Sequence, residues 1–153
     1  MITPNDTRWN STFDAMQFLL EIKDKLNDLM DALDLRRFTS QEIVFLEEYV
    51  TLMKPLAITL DQLQSNSASL GMVLPAMVKL EKFWTDKISE GTLRICEPLA
   101  RFLLWDLKDR TTEFFEDKDY LLGKTEKNNN VFMYLLKVGT YILIFGFMIP
   151  INL

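Results

Sequence analysis

An arginine and a tryptophan stand side by side near the N-terminus, in Thr7-Arg8-Trp9-Asn10-Ser11-Thr12, just ahead of a helix-start signal. A flat aromatic ring beside a guanidinium can hold an unstacked base next to its phosphates. The plainer reading is that a tryptophan just outside a helix packs onto its first turns while the neighbouring arginine stays in water. Few other residues offer chemistry. The 153-residue chain has no histidine, so imidazole acid–base catalysis and His-ligated metal sites are absent. Its one cysteine, Cys96, can form neither an intramolecular disulfide nor a Cys-cluster zinc site, and no histidine is present to activate it. Cys96 reads as a small apolar residue on a helix. The 22 Asp and Glu residues read as helix caps and solvated faces, and the five scattered glycines form no phosphate-cradling loop.

The stretch from Thr7 to Thr12, followed by Phe13-Asp14-Ala15-Met16, resembles the T-R-W-N-S-T signature of hAT-superfamily transposases and the host proteins derived from them. Leu52-Met53-Lys54-Pro55-Leu56 resembles that family's L-x-K-P-(apolar) helix, and Val73-Leu74-Pro75 falls where its next helix begins. The resemblance covers about Thr3 to Asp117. It implies a partial ribonuclease H-like domain with its helical insertion, a nuclear location, and DNA contact through Arg8, Trp9 and Asn10. Trp9 would be the stacking plate for a flipped base and Arg8 its phosphate or base-edge partner. In the family, two Asp residues before this motif and one Glu after the insertion hold two catalytic metals. This chain begins at the motif and departs before the Glu, so the resemblance implies no catalytic residue, no metal, no cofactor and no enzyme activity. The upstream BED-type finger of many relatives is absent as well.

The elements that must position the motif are helices. The periodicity predicts a mainly α fold with four longer helices, at about 12–35, 41–64, 70–88 and 92–116, in an irregular bundle with an apolar C-terminal tail. Asn10 or Ser11 is expected to cap the first helix, with Ser11 and Asp14 approximating a capping box. Phe13, Met16, Leu19, Leu20, Leu26, Leu29, Met30 and Leu33 form one apolar stripe along it. Arg36 and Arg37 near its end complement the helix dipole and could touch a phosphate. Thr39 and Glu42 have capping-box spacing at the start of the second helix, which Pro55 should bend. Pro75, awkward inside a helix, and Pro98 allow bends in the third and fourth. Trp84 reads as core, Trp105 lies off the buried face, and Gly91 ends the third helix in a left-handed conformation.

Length and composition suit one domain, with 25% charged and 48% hydrophobic residues. The net charge of −5 means that any contact with nucleic acid must come from a local patch. Residues 1–117 read as the family-like helical region, 118–130 as a linker, and 131–153 as an apolar tail outside the family pattern. Three functions follow as expectations. The first is a catalytically inactive hAT-derived fragment with weak DNA contact. The second is a helical module that binds a protein partner or a second copy through exposed apolar surface. The third is a tail-anchored membrane protein, with Lys124, Lys127 and Lys137 on the N-terminal side of the apolar stretch.

Overall fold

The computed structural model describes residues 10–64 and 72–116. Among them are five helices and no strand: α1 (Asn10–Glu21), α2 (Lys23–Ala32), α3 (Ser40–Gln64), α4 (Val73–Glu90) and α5 (Glu97–Glu116). The chain is mainly α, as the periodicity predicts.

The expected first helix is two. It breaks at Ile22, whose backbone (φ −100°, ψ 11°) leaves the helical well. The path stays tight across the break, because the Ile22 amide donates to the Phe18 carbonyl (3.2 Å) and the Lys25 amide donates to the Ile22 carbonyl (2.8 Å). Nor are its apolar residues one buried stripe. Phe13 and Leu26 are buried and Met16 and Leu20 half-buried, while Leu29 and Leu33 face solvent. The second half ends at Ala32 rather than Leu35. Asp34 takes a left-handed conformation (φ 54°), the Leu35 amide reaches back to the Met30 carbonyl (2.8 Å) and the Asp34 amide to Asp31 (3.2 Å). That pair of bonds is the Schellman closure, with aspartate tolerated where glycine is usual.

α3 opens on the expected capping box. The Glu42 amide donates to Thr39 Oγ1 (3.2 Å) and the Thr39 amide donates back to the Glu42 carboxylate (2.8 Å). The helix then runs without interruption through Pro55. Pro75 and Pro98 do not sit at interior bends. α4 begins at Val73 and α5 at Glu97, so both prolines fall in the first helical turn, where an amide hydrogen has no intrahelical acceptor to lose. Gly91 ends α4 in the left-handed conformation (φ 61°). The last helix starts at Glu97, not near Thr92, and 92–96 form its approach.

α3 is the centre of the bundle. Leu46, Tyr49, Val50, Leu52, Met53, Leu56, Ala57 and Leu60 are all buried along it, which a helix contacted from several sides requires. Polar contacts tie the helices to one another. Lys23 meets Glu47 (3.2 Å) between the first limb and α3, the Trp84 indole meets Leu52 between α4 and α3, and Lys108 meets Glu81 (3.1 Å) between α5 and α4. Phe13, Val73, Met77, Leu80, Trp84, Leu99, Leu103 and Leu107 complete the core.

Candidate functional site

Of the three candidate DNA contacts, Arg8 and Trp9 lie outside the described residues. Asn10 is the first residue of α1, two positions earlier than the periodicity suggests. Asn10 and Ser11 therefore lie within α1 rather than preceding it, and their side chains, like the Ser11–Asp14 box, lie outside the description. The linker 118–130 and the apolar tail 131–153 also lie outside the described residues. Among the described residues, no helix is long and apolar enough to cross a membrane, and no group of three or more His, Cys, Asp or Glu is arranged to hold a metal ion.

Arg36 and Arg37 are held in ion pairs. Arg37 meets the Asp31 carboxylate with two guanidinium nitrogens and Arg36 meets Glu42 (2.5 Å). The Arg37 hydrogen bond holds the Asp31 carboxyl below its ordinary value. Neither arginine is a bare cation set aside for phosphate, although both stay exposed.

The best-built polar constellation is one that sequence spacing does not reveal. Glu48, on α3, accepts three consecutive backbone amides from the approach to α5: Arg94 on Oε1 (2.7 Å), and Ile95 (2.9 Å) and Cys96 (2.8 Å) on Oε2. Cys96 occupies the N-cap position, since its carbonyl accepts from the Ala100 amide (3.0 Å). A cysteine is a poor cap because its thiol is a weak acceptor. A carboxylate from a neighbouring helix does the work instead, at the end where the α5 dipole is positive. Burial pushes the Glu48 carboxyl up, but the hydrogen bonds from Cys96, Arg94 and Ile95 outweigh it and leave it below the ordinary 4.5. The one signal for this in the sequence is the absence of a good cap just before Glu97.

Cys96 sits at the head of α5 rather than within it, is buried, and its thiol points at the Phe45 carbonyl (3.8 Å). Burial, with the Glu48 charge second, pushes that thiol up to about 12, so at neutral pH it stays protonated and is a poor nucleophile. Trp84 is fully buried and its indole N–H donates to the Leu52 carbonyl (3.0 Å). Trp105 is 60% exposed and stacks obliquely on Phe102, with ring centroids 6.1 Å apart.

No family model matches the chain, and neither does any curated protein or solved structure. The hAT resemblance therefore rests on the motif residues themselves.

Proposed function

We propose that this chain is a catalytically inactive helical fragment of hAT-transposase descent that touches DNA weakly through Arg8, Trp9 and Asn10. What supports it is the motif itself, Thr7-Arg8-Trp9-Asn10-Ser11-Thr12, whose last three residues lie in α1. One stacked base is worth about 1–3 kcal/mol, which without further contacts gives weak binding. The test is fluorescence anisotropy with a labelled DNA hairpin. Trp9→Ala should weaken binding about tenfold or more, while Trp105→Ala leaves it unchanged. Equal affinities for wild type and Trp9→Ala reject the assignment, as does magnesium-dependent cleavage by the purified chain.

A second reading, a helical protein-interaction module, is favoured by exposed apolar side chains along α1, α2 and the residue that closes α2. Phe18 is 59%, Leu29 45% and Leu33 58% exposed, in a chain whose remaining helices bury most of their large apolar residues. Exposed large apolar residues gathered in one stretch of chain are a candidate contact surface.

A further inference from the structure

We propose that Thr39 is a phosphorylation site for a protein kinase that selects arginine ahead of its target hydroxyl, and that the phosphate takes over the head of α3 from Glu42. The proposal stands apart from the DNA reading and uses none of its residues. The sequence leading to the hydroxyl is Arg36-Arg37-Phe38-Thr39. Kinases choose substrates by the charge pattern beside the hydroxyl, and a guanidinium is read by carboxylates paired with it. Both arginine side chains are 65% exposed, and their bonds to Glu42 and Asp31 are surface ion pairs, which hold weakly. Carboxylates of a kinase can therefore replace both partners. The first acidic residue after Thr39 is Glu42, whose side chain is 14% exposed and already occupied by the cap. The basic side of the pattern is thus the side open to be read.

Access is the second requirement, because phosphoryl transfer needs the hydroxyl drawn in line with the γ-phosphate in the kinase cleft. Residues 35–39 belong to no helix, and Thr39 is exposed. Among the described residues outside helices the other hydroxyl is that of Thr92, which has Ser89 and Glu90 where Thr39 has its arginines. The first buried residue of α3 is Leu46, so the opening turn can unwind without uncovering the core. Thr39 Oγ1 then bonds to the γ-phosphorus of a nucleoside triphosphate and the bond from that phosphorus to its bridging oxygen breaks. Nucleoside diphosphate leaves, and the hydroxyl proton passes to the catalytic aspartate of the kinase. In the unmodified chain Oγ1 donates to the Glu42 carboxylate at 3.0 Å and accepts from the Glu42 amide at 3.2 Å. Phosphorylation removes that donor and sets a charge of about −2 against the carboxylate. The like charges part. The phosphate oxygens become the acceptors for the amides at the head of α3 and for Arg36, which in the unmodified chain is held by Glu42.

The experiment treats the full chain with a purified arginine-directed Ser/Thr kinase and magnesium ATP, and reads the site by tandem mass spectrometry. One phosphate on Thr39 is expected. Thr39→Ser should keep the labelling and Thr39→Val should abolish it. Arg36→Gln and Arg37→Gln should each lower kcat/KM at least about tenfold. Asp31→Asn, which releases Arg37, should raise it about twofold. Labelling of Ser40 in place of Thr39, labelling indifferent to both arginines, or no labelling overturns the site. The cap is read separately, by thermal unfolding of the modified and unmodified chain. Glu42→Gln should lower the Tm of the unmodified chain and leave that of the phosphorylated chain unchanged or higher. An equal loss in both overturns the exchange of caps.

Discussion

Trp84 and Glu48 show how single side chains tie this bundle together. Pro55 lacks the amide hydrogen that the Thr51 carbonyl would otherwise accept, and Trp84 donates its indole hydrogen to the next carbonyl, that of Leu52, at 3.0 Å. The largest fully buried side chain is thus also a polar link between α4 and α3. Trp84→Phe keeps most of the apolar volume and removes that donor. It should cost about 1–3 kcal/mol in a urea unfolding titration, and a loss indistinguishable from zero would show the bond to be dispensable. Cys96 is the contrary case: a residue type with reactive potential that burial and the Glu48 charge make inert. The residue types proposed to meet DNA, by contrast, are known from the motif alone.

At the scale of the element, local chemistry decides starts and stops. Thr39 and Glu42 satisfy each other's amides at the head of α3, and Arg36 adds a charge-assisted bond to the same carboxylate. Thr39→Ala should therefore destabilise the chain by about 1 kcal/mol, measurable as a lowered denaturant midpoint with unchanged slope. α5 has no such local cap and borrows Glu48 across the bundle. The division of the first limb at Ile22 is the element-level departure from periodicity. Leu29 and Leu33 keep helical spacing with Leu26, yet among the described residues Leu26 is buried and the other two are exposed. Spacing reports which residues share a face; it does not report whether the chain supplies something to cover that face.

For the whole molecule, the Glu48 clasp couples α3 to α5 and makes part of the stability depend on pH. The carboxyl of Glu48 is lowered in the folded chain, and so is that of Glu42, where the Thr39 amide bond is the leading cause. A group lowered on folding contributes fully above its unfolded value, here 4.5, and loses that contribution as pH falls through the folded value. Stability should thus be flat with respect to these groups near neutrality and fall below about pH 4.5. Glu48→Gln should lower stability near pH 7 by about 1–3 kcal/mol and flatten the acid limb. Unfolding midpoints across a pH series check both, and a mutant curve parallel to wild type at every pH would show that Glu48 titrates alike in the folded and unfolded chain.

What the amino-acid order determined by itself is the helical class, the capping box at Thr39–Glu42, the burial of Trp84, the exposure of Trp105 and the left-handed stop at Gly91. Each depends on residues within a few positions of one another, or on a repeat that any helix imposes on its own side chains. Only the tertiary structure decided that α5 is capped from α3, that Arg36 and Arg37 are spoken for, that Cys96 is sealed, and that Phe18, Leu29 and Leu33 stand exposed among the described residues. Those outcomes depend on which helices become neighbours, and a carboxylate 46 residues upstream leaves no local trace of the amide it will meet.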